Sequence, residues 1–432
     1  MVPRMLLTNS GAALGQRRRR VVGGLRQPLV RLQISTAVSS LGQGMTLPYL
    51  VIYLHTQRHI PAGITGLAVG VAAIGSFIFS GPIGFFVDRL GPARVLLFGT
   101  VFAAFAALSW AFVSTRPEVF LAAFGYSLAN SFLWGPRQAF VSRLATGDQR
   151  QRAYGIGFLL INLGIGLGGV VGAILIRSAT LHGFQLLYFT NSIMYLLSGL
   201  IVVTVLKYGG AVHEAKSKDH GGYREVLRDA KLWRIVGLST MLVVVGYGSL
   251  EIGVPGYVTQ VSHLSARVVG LSFAANTLTI VVAQMFVLKL LKGRSRAYTL
   301  AGVAFIWAGS WVLLGSSALV AAVPAAILAI GSQAVFGFAE TGYMPVLNTI
   351  VNDLAPEALR GRYNAVAGIA WGVGNSLGPA IAGLAIGAGL GGYWVVSLAA
   401  VCVLAGFVAM RLHAVLTPEQ DGHTPAAAPS TS

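Results

Sequence analysis

Apolar runs of about twenty residues or more recur along this chain, each closed by a short polar or glycine-containing turn. They fall at residues 30–54, 63–87, 93–114, 117–144, 152–177, 184–206, 232–258, 266–290, 296–316, 320–350, 362–387 and 391–412. A helix that crosses the hydrocarbon of a bilayer needs about 20 mostly apolar residues, so the pattern predicts twelve transmembrane helices. The connections are short except at 207–231, KYGGAVHEAKSKDHGGYREVLRDAK, which divides the spans six and six. The expected organisation is a basic N-terminal tail (1–29), a six-helix bundle (30–206), a polar linker (207–231), a second six-helix bundle (232–412) and a Pro/Ala/Ser/Thr-rich tail (413–432) expected to be disordered. Arg17, Arg18, Arg19 and Arg20 before an apolar run mimic an export signal. That run is too long for a signal core, and no convincing cleavage site follows it.

Composition agrees with this solvent. The chain is 55% hydrophobic and only 10% charged, against roughly 25% charged in soluble domains. Its 55 glycines suit membrane helices, which pack through small residues at close range. The net charge of +18 raises the question of nucleic acid, and the placement of the charge answers it. With the N-terminus inside, 26 of the 31 Lys and Arg lie on the inner side, 4 lie outside and Arg137 lies within a span. That asymmetry is a topology signal, with contacts to anionic lipid a further use. No nucleic-acid partner is expected. Both termini are expected in the cytoplasm of a multi-pass protein of the cell membrane. The lone Cys402 allows no internal disulfide and no cysteine-based metal site.

The halves resemble each other weakly. Arg152, Gly164 and Gly168, shifted by 210 positions, fall on Arg362, Gly374 and Gly378. Gly91 and Arg94, shifted by 202, fall on Gly293 and Arg296. Six spans per half give both halves the same orientation. The expected fold is therefore an all-α membrane protein, two six-helix bundles related by a pseudo-two-fold axis along the membrane normal. Transporters are often built this way, with the site near midplane between the halves.

Residues 81–97 read GPIGFFVDRLGPARVLL. This resembles the signature loop of the major facilitator superfamily, G-x-x-x-D-R-x-G-x-R, between the second and third spans, and Gly84, Asp88, Arg89, Gly91 and Arg94 match it. The resemblance implies a secondary transporter in which these charges gate the cytoplasmic face. Physically, Gly84 permits close helix approach, Gly91 permits a tight turn, and Asp88 can pair with arginines of neighbouring loops. The fifth span carries Gly164, Gly168, Gly169 and Gly172, which resembles the antiporter motif G-x-x-x-G-P-x-x-G-G of drug-exporting branches. Gly169 stands where that family usually has Pro, and the Pro version occurs in the second half at Gly374, Gly378 and Pro379. The fourth span also departs from the drug exporters, with no early Arg and with Arg137 further along.

Only Glu251 and Glu340, of 13 acidic residues, lie well inside the predicted spans. A charge at the centre of a bilayer costs roughly 2.5–3.5 kcal/mol on insertion scales, and such residues normally face a cavity and serve substrate or proton pathways. Burial disfavours the charged form of a carboxyl, which suits a group that binds and releases a proton. The resemblance implies the same use, since some multidrug members carry functional carboxylates in these two helices. The alternative is that each carboxyl merely ties helices together. Arg137 either attracts an anionic substrate or snorkels to the cytoplasmic surface. Candidates for lining a cavity are Asn130, Trp134, Arg137, Tyr247, Tyr343, Trp371 and Asn375, with Tyr53, Asn276, Gln284 and Gln333 as further polar or aromatic residues in spans. Aromatic rings with carboxylates would suit lipophilic cations. There is no G-x-x-x-x-G-K-[ST] loop to bind ATP, and no H-E-x-x-H or hydrolase serine motif. An enzyme is not expected, nor a cofactor or metal. The expected function is proton-coupled export of small lipophilic, cationic compounds by a monomer. An importer or uniporter of a metabolite is the first alternative, and a non-transporting receptor the second.

Overall fold

The computed structural model describes residues 21–22, 25–145, 148–176, 180–210, 223–356 and 359–422. Helices dominate, apart from an antiparallel pairing of Val21–Val22 with Leu25–Arg26. The first span is α1 (Gln27–Thr46) and α2 (Leu50–Arg58), joined by a tight turn at Leu47–Tyr49 that holds Pro48. Spans two to six are α3 (Ala62–Leu90), α4 (Pro92–Trp110), α5 (Arg116–Leu144), α6 (Asp148–Leu175) and α7 (Leu181–Val203). The short α8 (Tyr223–Arg228) precedes the seventh span, which is α9 (Ala230–Val245) and α10 (Tyr247–Gly256), broken at Gly246. Then come α11 (Ala266–Leu291), α12 (Arg296–Ser316) and α13 (Ala322–Leu354). The eleventh span is α14 (Arg360–Ala367) with α15 (Ile369–Gly387), and the twelfth is α16 (Gly391–Leu412). The layout is that of twelve spans in two six-helix bundles.

Ten of these spans are long and apolar enough to cross a membrane by composition alone. The first span and α5 fall short for one reason. They carry polar side chains on the face turned into the protein: Gln33, Ser35, Ser39 and Ser40 in α1, and Tyr126, Asn130, Ser131 and Arg137 in α5. In hydrocarbon, such groups are tolerated only where other protein groups or a water-filled cavity receive them. Ser35 meets Ser198 at 2.8 Å and Asn191 donates to Thr46 at 2.9 Å, joining α1 to α7.

The repeat is more detailed in three dimensions than in sequence. Tyr53 donates to the Ala111 carbonyl at 3.2 Å, and Tyr257, shifted by 204, donates to the Gly315 carbonyl at 3.1 Å. Tyr53 packs its ring on Phe184 and Tyr257 packs on Trp394. Gly91 and Gly293, at matching helix ends, both take positive φ, +87° and +74°, a region that costs glycine least.

Glycines decide where the bundles touch. A Cβ on Gly168 would collide with the Leu41 carbonyl and stand 2.8 Å from the Met45 nitrogen, so α6 lies backbone to backbone on α1. Gly378 presses α15 onto Gly248 of the seventh span in the same way. Between bundles, Gly66 of α3 meets Pro379 and Gly383 of α15, while Gly166 and Gly169 of α6 face Thr277 and Gly270 of α11. All these contacts lie in the half of the molecule away from the chain ends. Towards the face that carries the chain ends, α3 separates from α15, and a Cβ on Gly84 would meet nothing within 4 Å. The close approach expected of Gly84 is absent because the residue is exposed and faces open space, while the adjacent Ile83 is the buried one.

The expected disorder of 413–432 fails for its first ten residues; 423–432 lie outside the described residues. The segment after α16 folds back on the turn before α12. Asp421 is buried, accepts from the Ala297 N–H at 2.9 Å and meets His413 Nδ1 at 2.7 Å. Arg296 binds Asp353 at 2.6 Å and the Gln420 carbonyl at 2.8 Å. Burial pushes the Asp421 carboxyl up, but Ser295, the Ala297 N–H and His413 outweigh it and hold it below its ordinary 3.8. A depressed carboxyl pKa contributes stability above the unfolded pKa and loses it as pH falls through the folded one.

Gly168→Ala should destabilise the protein by about 1–3 kcal/mol, the cost of overpacking. Gly169→Ala, whose Cβ would find its nearest atom at 3.6 Å, should leave thermal unfolding in detergent unchanged. Hydrogen exchange should find 413–422 protected at neutral pH. That protection should vanish in Asp421→Ala, or as the pH falls below 3.8, while the spans stay protected.

Candidate functional site

Between the bundles lies a cavity of about 740 Å³. Its two walls differ. The first bundle supplies Tyr126, Asn130, Trp134 and Arg137 from α5, with Tyr188, Asn191 and Tyr195 from α7. The second supplies Tyr247 and Glu251 from α10, Asn276 from α11, Glu340 from α13 and Trp371 and Asn375 from α15. On α5, α7, α10 and α15 the lining residues stand three to four apart, since such residues share a helix face.

Glu340 is 8% exposed. Asn276 Nδ2 approaches its Oε2 at 3.4 Å, a weak contact. The Tyr247 hydroxyl lies beside the same carboxyl but falls short of hydrogen-bond geometry and has no other partner. Glu251 is exposed, and its exposure is to the cavity that it lines. Neither carboxylate has a cationic partner among the described residues. Tyr247 stands in an aromatic cluster, with ring centroids 4.8 Å from Trp371, 5.8 Å from Trp307 and 5.8 Å from Tyr343. Two carboxylates beside aromatic faces form a cation-accepting wall, through charge and cation–π attraction.

Tyr343 is corrected. It is wholly buried behind Tyr247, with its hydroxyl 2.9 Å from Ser239 Oγ, and does not line the cavity. The other named candidates, Asn130, Trp134, Arg137, Tyr247, Trp371 and Asn375, do line it. Arg137 does not snorkel: it is 9% exposed, and its Nη2 donates to Ser39 Oγ at 3.2 Å. Gly164, Gly168 and Gly172 face α1 rather than the cavity, and Gly169 faces α11. Asp88, Arg89 and Arg94 are exposed at the face carrying the chain ends and make no ion pair with any described residue. Arg89 lies over the Phe85 ring at 5.8 Å.

Sequence reasoning missed Tyr126, Asn191 and Tyr195. The hydroxyls of Tyr126 and Tyr195 lie 3.1 Å apart, and both residues line the cavity. The one available signal was spacing: Tyr188, Asn191 and Tyr195 stand three and four residues apart and so share one face of α7. No group of three or more potential metal ligands occurs among the described residues.

The fold has known counterparts. A solved peptide transporter, POT, superposes with a TM-score of 0.76 over 93% of this chain and 96% of its own, at 12% identity. By sequence, the chain is 25% identical over 398 residues to a Na(+), Li(+), K(+)/H(+) antiporter of Planococcus maritimus, spanning 84% of this chain and 90% of that one. It is 22% identical over 198 residues to the multidrug resistance protein MdtG of Enterobacter lignolyticus, spanning 45% and 47% of the two chains. A sequence profile described as Major Facilitator Superfamily matches residues 32–333 and 311–432, and the chain belongs to that superfamily of membrane transporters, which are not enzymes.

Proposed function

We propose that this transporter exchanges protons for small lipophilic cations, in the direction of export, with Glu340 and Glu251 as the groups that carry the proton and attract the cation. The observation that carries this reading is the pair of carboxylates on one aromatic wall, without a cationic partner among the described residues. A carboxylate that loses its proton there either holds a cation or bears an uncompensated charge, so proton and cation compete for one site. The cavity size supports an organic substrate, since sites for such molecules span roughly 300–1,000 Å³. The relatives named as antiporter and multidrug resistance proteins support exchange and export.

The basic side of the chain sets the orientation of the proposal, with both termini in the cytoplasm and the protein in the cell membrane. The cavity then opens inward. Asp88, Arg89 and Arg94 make no ion pair with any described residue in this state, as expected of gate charges that pair only on closing. A second reading is exchange of protons for Na+, Li+ or K+ at the same carboxylates, favoured by the Planococcus relative that covers most of this chain.

In proteoliposomes with an imposed pH gradient, lipophilic cations added to the wild type should dissipate the gradient. Glu340→Gln should slow this at least about tenfold, the scale of losing one buried charge contact. Gradient collapse by Na+, Li+ or K+ alone would favour the second reading. Collapse unaffected by Glu340→Gln would remove that residue from the coupling.

A further inference from the structure

Arg137 carries a charge that no described residue offsets. Its guanidinium is nine-tenths buried on the first bundle's wall of the cavity, and its one described hydrogen bond goes to a neutral hydroxyl, Ser39, at 3.2 Å. Its Nε is buried with no partner. The three carboxylates of the first bundle, Asp88, Glu118 and Asp148, fall at helix ends in the sequence. Glu118 is already engaged there by the Ser114 and Thr115 N–H groups at 2.7 and 3.1 Å. The carboxylates inside the molecule, Glu251 and Glu340, belong to the opposite wall and pair with no described arginine. A buried, unpaired charge is strongly unfavourable, and an arginine fork is the side chain best suited to a planar carboxylate. The same wall adds an unpartnered Asn191 Oδ1 and the Tyr188 hydroxyl, both buried.

The geometry points to a bipolar cavity, and we infer that the transported molecule is amphoteric, an elongated aromatic compound whose anionic end is received by Arg137 and whose ammonium end is received by the Glu340 and Glu251 wall. This inference rests on the cation-accepting wall proposed above and adds a second pole to it. A purely cationic substrate would leave the guanidinium uncompensated and facing a like charge. An amphoteric one gives each wall an opposite charge, pairing Arg137 with its anionic end and one carboxylate with its ammonium while the other carboxyl keeps its proton, and bridges the two bundles.

The test uses the purified full chain in detergent and three probes in isothermal titration calorimetry: 4-(piperazin-1-yl)benzoic acid, its methyl ester and its N-acetyl derivative. These present both charges, the cation alone and the anion alone. The acid should bind the wild type at least about tenfold more tightly than either derivative, one good charge contact being worth that much. Arg137→Gln should bring the acid down to the affinity of the ester without weakening the ester, whose ammonium no longer faces a like charge. Arg137→Lys, which keeps the charge without the fork, should weaken the acid less. If neither variant folds, the acid-to-ester ratio on the wild type still decides. An ester that binds as tightly as the acid, and is weakened by Glu340→Gln, overturns the anionic pole and leaves the cation reading standing. An acid preference that survives Arg137→Gln also overturns it. Failure of all three probes to bind overturns both readings.

Discussion

Within a bilayer, a polar side chain turned towards lipid costs free energy that no solvent returns, so each span turns its polar groups towards other protein groups or towards the space between the bundles. The two spans least apolar by composition, the first span and α5, are the clearest case. Their serines, amides and Arg137 are what make them poor lipid-facing helices and good cavity walls. The cavity is in this sense where the chain puts what the membrane refuses. Its chemistry is then a matter of which residues were left there, and these differ on the two sides: an arginine with tyrosines and amides on one, two carboxylates with aromatic rings on the other.

Small residues complete the architecture. Gly168 on Leu41 and Gly378 on Gly248 fix helices within each bundle, while Gly66 with Gly383 and Gly169 with Gly270 let the bundles meet at backbone distance. Without a hydrophobic drive between helices in lipid, such close packing supplies much of the association. The inter-bundle contacts described above lie in one half of the molecule, away from the chain ends, and the cavity stands open beyond them. A rocking motion about these contacts would exchange one opening for the other, which is how superfamily repeats of this symmetry admit a substrate from either side.

Much of this was legible in the sequence, for physical reasons. Span length is imposed by bilayer thickness, so twelve runs announced twelve helices. Glu251 and Glu340 stood out because a carboxylate within a span is rare and expensive. Tyr126, Asn191 and Tyr195 did not, because tyrosine and asparagine in a span serve packing as readily as a cavity. Tyr343 misled because it sits three residues from Glu340, yet Ser239 draws its hydroxyl to a buried site behind Tyr247. The docking of Asp421 on Ala297 was invisible, since nothing local in a polar tail reports a loop more than a hundred residues away.

The most direct measurement is the number of protons released when a lipophilic cation binds the purified protein in weakly buffered detergent solution. Competition of proton and cation for the same carboxylates predicts release of about one proton per cation bound, with affinity rising about tenfold per pH unit where those groups titrate, and no release from the Glu340→Gln, Glu251→Gln double variant. Binding with no proton release and no pH dependence would contradict the shared site, and with it the coupling that the cavity is proposed to perform.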